Sequence, residues 1–343
     1  MAVGRSERAG VGILGTGSYL PSGIVSNDLV AERAGVTAAW IQDRTGIRSR
    51  RYAAAGEAAS DLAVEAARAA LDAAGLTADR IGLIVVATST PDHPQPATAC
   101  LVQSRLGARH AAAFDLNSVC SGFVFALVTA ARLLDPAAPG ARRHALVIGT
   151  DVYSRIVDPA DRRTAVLFGD GAGAVVLGPV RPGHGLIAAR LASDGARHDL
   201  IHVRAGGSRE PASARTVAEG GHWFRMDGRG VSAYVRTELP RTVRELLDLY
   251  DVPADAVDHF VPHQANGVLL RSVLPDLGLP RARVHLTVDE HANTGSASIP
   301  LTLDTVRRRG AFADGELVLL AGFGGGMSLG TALLRWQGDA DGH

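Results

Sequence analysis

One cysteine, one histidine, one asparagine and a run of glycines stand in this chain where their chemistry could combine. Cys120 lies in Phe114-Asp115-Leu116-Asn117-Ser118-Val119-Cys120-Ser121-Gly122-Phe123, between a short strand ending near Leu116 and an apolar helix beginning near Cys120. A thiol at such a turn faces unpaired backbone N–H groups and the positive end of the helix dipole. Both favour thiolate and would make Cys120 a better nucleophile than a free cysteine. His263 follows the strand Asp258 to Val261, in Pro262-His263-Gln264-Ala265-Asn266, and α/β folds gather site residues at the carboxyl ends of their strands. Asn293 stands in the polar turn His291-Ala292-Asn293-Thr294, ahead of an apolar helix with Pro300 in its first turn. Gly324-Gly325-Gly326, after Phe323, would bring bare backbone N–H groups close to a bound group.

Each of these has an ordinary explanation when taken alone. A free cysteine is often a small buried hydrophobe, a histidine can be satisfied by backbone, and Asn293 could cap the helix that follows it. Together they are the parts for acyl chemistry through a thioester. Two reaction classes use them: a Cys-His-Asn protease, and an acyl transferase that also stabilises a carbanion. The chain lacks the cysteine signature that papain-like enzymes carry near the mature N-terminus, which disfavours the protease.

The elements that must position these residues are α/β in kind. The alanine-rich segment Ser60 to Ala74 reads as a helix capped by Ser60 and stopped by Gly75. Ile81 to Thr88 is continuously apolar, as a strand covered on both faces should be. Helix and strand then alternate through Cys120 and Ala145-Leu146-Val147-Ile148. Ser26 and Thr37 cap two short helices, the second carrying Trp40 and Arg44 before Gly46 stops it. Gly15-Thr16-Gly17 after Val11 to Leu14 superficially looks like a dinucleotide-binding turn, but no helix opens behind it. The glycine-rich strand Phe168 to Leu177 has no lysine-serine pair after it, so close backbone packing explains it better than a phosphate cradle.

Two echoes point to a duplicated half. Leu71 to Thr90 resembles Leu247 to Asn266, and the glycine-rich strand around Ala172 has a counterpart in Gly324 to Trp336. The join is expected near residue 180, giving an N-terminal half over 1–180 with the cysteine and a C-terminal half over 181–343 with the histidine and asparagine.

Composition narrows the setting. Lysine plus arginine equals aspartate plus glutamate at 35 each, so no global charge argues for nucleic acid or a membrane surface. Cys100 and Cys120 are the only cysteines in 343 residues and suit a reducing compartment. The N-terminus shows no secretory h-region, and the longest apolar run, broken by Arg132, is too short for a bilayer. A soluble cytoplasmic protein is expected. His198, His202 and His259 have no supporting cysteine or carboxylate cluster, so no metal site is expected.

Asp115 to Phe123, Phe168 to Gly173, Val261 to Asn266, His291 to Thr294 and Phe323 to Gly326 resemble β-ketoacyl-acyl-carrier-protein synthase III, a thiolase-fold ketosynthase. The resemblance covers essentially the whole chain. It implies the duplicated five-layer αβαβα thiolase fold, a homodimer, and a coenzyme A thioester as substrate with no further cofactor. By the same resemblance Cys120 would take the acyl group from acyl-coenzyme A, with its own N–H and that of Gly325 as oxyanion hole. His263 and Asn293 would stabilise the enolate of a decarboxylating malonyl group on acyl carrier protein. Trp40 and Arg162 match residues that sandwich the adenine of coenzyme A, Arg44 one at its pantetheine or phosphate end, and Phe323 one beside the nucleophile. The chain departs from the pattern at Gly267-Val268, where the family has an arginine that helps dock the carrier; Arg271 is the nearest substitute. The loop Arg204 to Trp223 is also individual. Two other readings remain: an acyl transferase to a hydroxyl or amine without decarboxylation, and a silent partner subunit, which the presence of Cys120 disfavours.

Overall fold

The computed structural model describes residues 10–135 and 143–338, so the N-terminal octapeptide read above lies outside it. Two five-stranded sheets form its frame. The first holds β1 (Gly10–Tyr19), β2 (Leu83–Ala87), β3 (Ala112–Leu116), β4 (Ala145–Asp151) and β5 (Gly171–Val180), in the order β1-β5-β4-β2-β3. The second holds β6 (Gly185–Ser193), β7 (His259–Pro262), β8 (Arg283–Val284), β9 (Leu317–Gly324) and β10 (Ser328–Arg335), in the order β6-β10-β9-β7-β8. Both sheets have the same strand order and the same directions. The second strand pairs parallel with the third and fourth, and the fourth, fifth and first run antiparallel. The two sequence echoes fall on equivalent elements: Leu71 to Thr90 and Leu247 to Asn266 each run from a helix into the second strand of a sheet.

The helices among the described residues include α1 (Ala38–Thr45), α2 (Ala59–Ala74), α3 (Thr98–Leu106), α4 (Gly122–Leu133), α5 (Gly228–Leu249), α6 (Gly267–Val273) and α7 (Ser298–Arg308). The apolar run after Cys120 becomes α4, which lies with α7 between the sheets. There Phe123, Leu127, Ile299 and Leu303 share one core with Val85 and Val147 of the first sheet and Val261 and Leu320 of the second. Outside the first sheet, α2 and α3 pack on the opposite faces of β2, β4 and β5. Outside the second, α5 and α6 do the same on β7, β9 and β10. The result is the five-layer αβαβα thiolase-like architecture. Most of α4 before Arg132 is buried between the sheets, which is what its apolarity there demands, while its last turn, with Arg132 and Leu133, is exposed.

Two local expectations are corrected. Gly15-Thr16-Gly17 is not a turn but the middle of β1, whose pairing with β5 runs on to Tyr19. The glycines are there because α2 presses on the strand: a β-carbon on Gly17 would come within 2.3 Å of Ala70 N and 2.4 Å of Ala66 O. Backbone atoms cannot yield as a side chain can, so Gly17→Ala is expected to cost about 3 kcal/mol or more. Equilibrium urea unfolding would read this; an unchanged midpoint would contradict the packing. The second correction concerns α2, whose N-cap is Ala58. Ser60 lies inside the first turn, where its N–H and hydroxyl both donate to Asp92, at 2.8 and 2.7 Å. The glycine-rich strand behaves as read: a β-carbon on Gly173 would sit 2.5 Å from Leu301 N, so its bareness admits α7.

Candidate active site

The nucleophile candidate sits where the sequence places it. A single 3-10 turn, Val119–Ser121, links β3 to α4 and carries Cys120, which is almost completely buried. Val119, immediately before it, has φ of 47°, which a β-branched residue adopts only under strain. Ala292, immediately before Asn293, has φ of 60°. The chain is therefore held in unfavourable backbone conformations directly ahead of two of the three candidate residues.

The other residues converge on this turn from the second half of the chain. Gly324, at the end of β9, lies against the nucleophile, since a β-carbon there would be 2.7 Å from Cys120 N and 3.0 Å from Cys120 Cβ. Gly325 follows with Val119 and Ile201 as its neighbours. The 3-10 turn Gly295–Ala297 meets the helix start, where a β-carbon on Gly122 would lie 3.7 Å from Ser296 Cβ. Asn293 enters just ahead of that turn, held by Asn293 N–H donating to Leu167 O at 2.9 Å and Gly169 N–H donating to Asn293 O at 3.0 Å. His263 follows the last residue of β7, its N–H donating to Ala321 O of β9 at 2.8 Å.

Hydrogen bonds decide which atoms face the reaction space. Asn293 Oδ1 accepts from Gly295 N–H at 2.9 Å, so the side chain does not cap α7; its oxygen is used locally and its amide NH2 is the group left to donate. His263 Nδ1 lies 2.7 Å from Ser298 Oγ, and that oxygen already accepts from Gln264 N–H at 3.3 Å. The described hydrogen bonds give the Ser298 hydrogen no other acceptor, so the assignment that satisfies it gives that hydrogen to Nδ1 and the imidazole proton to Nε2. Burial pushes the His263 pKa down to about 3, so the ring is neutral at ordinary pH. Phe323 stands edge-on to the ring at 5.0 Å and is itself buried, so it braces His263.

The thiol is the exception to the sequence reading. The helix start was expected to favour thiolate, yet burial, reinforced by the nearby Asp151 carboxylate, pushes Cys120 up to about 12. Removing water from the sulfur outweighs what the helix terminus supplies. Three residues that the sequence reading did not single out lie behind it. Tyr153 Oη is 4.0 Å from Cys120 Sγ and 3.0 Å from Ser89 Oγ, and Ser89 Oγ donates to Asp151 Oδ1 at 3.0 Å. The Tyr153 ring stacks on Phe168 at 4.3 Å and meets Phe224 edge-on at 5.6 Å, and all three are buried. No spacing rule could have found them, because they come from four segments joined only by the fold. The excursion from Arg204 to Trp223 springs from the two-stranded pair Ile201–Val203 and Phe224–Met226, so its base reaches this cluster.

A cleft of about 690 Å³ leads from the surface to Asn293. Trp40, Arg44 and Arg162 line it, with Arg163, Arg229 and Arg236. No carboxylate lines it, although the chain as a whole carries balanced charge. An adjoining cleft shares Trp40, Arg44, Arg163 and Arg229 with it and adds Asp158, Asp161, Asp199 and Asp227. Val268 is on its wall and 42% exposed, whereas the Arg271 guanidinium lies back against Gly46 and Gly267. Cys120 and His263, both buried, are not among the residues that line this cleft. The histidines weighed as metal ligands are engaged elsewhere: His198 and His202 bond to backbone carbonyls of Gly195 and Asp199, and His259 lies between His285 and Glu316. No helix among the described residues is long and apolar enough to cross a membrane.

Two family models for 3-oxoacyl-(acyl-carrier-protein) synthase III match the chain, one over residues 114–195 and the C-terminal one over 247–336. The β-ketoacyl-(acyl-carrier-protein) synthase III of Erythrobacter litoralis is 47% identical over 94% of this chain and 98% of its own length. This chain belongs to the 3-oxoacyl-(acyl-carrier-protein) synthase III family. It is a ketosynthase of the thiolase superfamily, an acyltransferase that extends an acyl group by Claisen condensation. An acetoacetyl CoA synthase from Streptomyces sp. strain CL190 is 55% identical, over 94% of this chain and 98% of the relative. The crystal structure of the Pseudomonas aeruginosa synthase III superposes with a TM-score of 0.86 at 42% identity, covering 97% of this chain and 100% of that one. The two matched stretches, 114–195 and 247–336, contain all five motif-bearing segments.

Proposed function

We propose that the enzyme loads an acyl group from acyl-coenzyme A onto Cys120 and condenses it with malonyl-acyl carrier protein, with carbon dioxide leaving. The observation that carries this assignment of roles is the pair of side-chain donors that the local hydrogen bonds leave free on Asn293 and His263. With Asn293 Oδ1 and His263 Nδ1 both engaged locally, Asn293 Nδ2 and His263 Nε2 are presented as neutral hydrogen-bond donors. Two neutral donors suit a thioester carbonyl that becomes an enolate oxygen when the malonyl carboxylate departs. A general base would instead need a free nitrogen lone pair. Cys120 N–H and Gly325 N–H form the oxyanion hole for the acyl thioester, and Phe323 holds His263 in place. Trp40 and Arg162 take the adenine end of coenzyme A and Arg44 its phosphate or pantetheine end, in a cleft whose arginines suit a polyphosphate. Coenzyme A enters as a thioester substrate, and no other cofactor is needed.

The acyl group is short. The Tyr153 hydroxyl meets the sulfur at 4.0 Å and its ring packs face and edge with Phe168 and Phe224, so a chain of more than a few carbons entering on that side would have to displace the cluster. The halves 1–180 and 181–343 form the duplicated unit, supported by β5 ending at Val180 and β6 beginning at Gly185. The enzyme acts in the cytoplasm as a homodimer; β3, only half-buried and last in its sheet, offers an edge for a second copy.

A second reading of the acceptor, malonyl-coenzyme A, is favoured by the rim. Exposed Val268 stands where the family has an arginine, and Arg271 is folded back against Gly46 and Gly267, so neither supplies a carrier contact at that position. The 55% identical relative is named an acetoacetyl CoA synthase.

One experiment separates these readings. The protein is treated with acetyl-, butyryl- and octanoyl-coenzyme A and its intact mass is measured. Malonyl-acyl carrier protein or malonyl-coenzyme A is then added and carbon dioxide is followed. Acetyl loading, carbon dioxide release and loss of the adduct are expected, with octanoyl loading poorly. An adduct that neither malonyl thioester discharges would overturn the proposal.

A further inference from the structure

The two proposed oxyanion donors stand in opposite halves of the chain, and no covalent link sets the distance between them. Cys120 N–H belongs to the Val119–Ser121 turn and Gly325 N–H to the Gly325–Met327 turn. Each turn contains a residue in the left-handed region, Val119 at φ of 47° and Met327 at φ of 44°, and such backbone persists only where its surroundings impose it. Met327 is held through its carbonyl, which accepts from Tyr234 Oη–H at 2.9 Å and from Asp194 N–H at 3.2 Å.

A pair of serines joins one turn to the other. Ser121 ends the first turn and Ser328 follows the second; both are buried, and their hydroxyl oxygens lie 2.6 Å apart. Ser121 Oγ is also 2.8 Å from Ser118 O, and Ser328 Oγ is 3.0 Å from Gly325 O. Bare backbone lets β9 come this close, since a β-carbon on Gly322 would lie 2.9 Å from Ser121 Cα. Each hydroxyl has one hydrogen. If both hydrogens went to the carbonyls of their own turns, two bare oxygens would face each other at 2.6 Å, so one hydrogen lies between them. Donation by Ser121 leaves the Ser328 hydrogen for Gly325 O, and donation by Ser328 leaves the Ser121 hydrogen for Ser118 O. Either way one hydrogen bond crosses between the turns, and burial keeps water from competing for it.

We infer that Ser121 and Ser328 are positioning residues for acyl transfer, their crossing hydrogen bond fixing the separation of Cys120 N–H and Gly325 N–H. Ser121 is the residue after the nucleophile, and Ser328 Oγ meets the carbonyl of Gly325 itself. The hydroxyls are engaged with one another and with these carbonyls, so they act through the backbone beside them. Donors aimed at a developing oxyanion are effective only when they are already in place, and a small misplacement is costly. A serine that bonded only to its own turn would satisfy its hydroxyl and set no such distance.

This inference rests on Cys120 being the acyl acceptor, and the test keeps the two apart. Single-turnover loading from acetyl-coenzyme A is followed by intact mass for the wild type, Ser121→Ala, Ser328→Ala and the double variant. Alkylation of Cys120 by iodoacetamide is followed beside it by peptide mass, which separates it from the exposed Cys100. Alkylation develops no oxyanion, so it reports the thiol alone. Each single variant is expected to load about 30-fold more slowly at saturating acetyl-coenzyme A, with the half-saturating concentration and the alkylation rate within about twofold of wild type. The double variant should be about as slow as either single, because the two hydroxyls act as one unit. The two single variants break the same bond from opposite sides, so either one carries the test if the other fails to fold. Wild-type loading in either variant would overturn the inference. Loading and alkylation that fall together would also overturn it, since they would show a general loss of structure around the thiol. Absence of an acetyl adduct in the unsubstituted protein would overturn the assignment of Cys120, and the positioning role with it.

Discussion

Replacing His263 or Asn293 by alanine is expected to slow carbon dioxide release from a malonyl thioester by ~150-fold while acyl loading of Cys120 stays within about fivefold of wild type. The split follows from what each group faces. In the proposed mechanism loading uses the thiol and backbone N–H groups of the Val119–Ser121 and Gly325–Met327 turns, which neither substitution removes. Decarboxylation puts negative charge on the malonyl thioester oxygen, where the two side-chain donors act, and losing one donor costs about 3 kcal/mol of barrier. Because both donors serve one oxygen, the double variant should be much less than additively impaired. Single-turnover loading by mass and carbon dioxide release under saturating malonyl thioester measure the two steps separately. Equal loss in both steps would mean that His263 and Asn293 shape the site rather than stabilise the enolate. Asn293→Asp keeps the size and replaces the donor with an acceptor, so it should be as impaired as alanine.

Acidification is expected to unfold the protein with a steep contribution from His263. Its folded-state pKa, near 3, lies below the unfolded value of 6.5, so between these values the unfolded chain binds the proton that the folded one refuses. Stability from this group is therefore complete above pH 6.5 and lost as the pH falls towards 3. By pH 4.5 the loss reaches about 3 kcal/mol, at about 1.4 kcal/mol per pH unit. His285, lowered to about 4 by burial and by the neighbouring His259, acts in the same direction. Asp151 and Asp170 oppose them, because burial raises both carboxyls and so favours their protonated forms in the folded state. The His263 share is isolated by difference. Urea unfolding of wild type and His263→Asn across pH 4.5–7.5 should show the variant losing about one proton's worth of slope. Parallel curves would show that His263 is protonated in the folded protein, which would also remove the argument that Nε2 is a neutral donor.

The two predictions draw on one arrangement. Cys120, His263 and Asn293 are brought together by a fold that leaves all three almost dry. Dryness makes neutral donors strong and keeps the histidine uncharged. It also makes the thiol reluctant to ionise.

How much of this the sequence determined differs from residue to residue. Its periodicity and apolar runs placed the strand before Cys120, the helix after it, and the strand leading to His263, because a chain buried on both faces must be apolar throughout. The echo between Leu71 to Thr90 and Leu247 to Asn266 pointed to a repeated unit, and the five motif-bearing segments together were specific enough to indicate the family. Local chemistry also gave the stops and caps at Thr37, Gly46 and Gly75, since these depend on residues a few positions apart.

What the sequence left open depended on groups distant in the chain. Gly15 and Gly17 looked like a turn because nothing nearby shows that α2 crosses β1 there. Ser60 looked like a cap because its partner Asp92 lies 32 residues away. Cys120 was expected to be acidic from its helix start, a local property, whereas its protonation is governed by burial and by Asp151 31 positions on. Tyr153, Ser89 and Ser298 carry no motif of their own. They gain a part in the site only when tertiary packing removes water from around the thiol and the imidazole, because desolvation is a property of the whole enclosure that no single segment encodes.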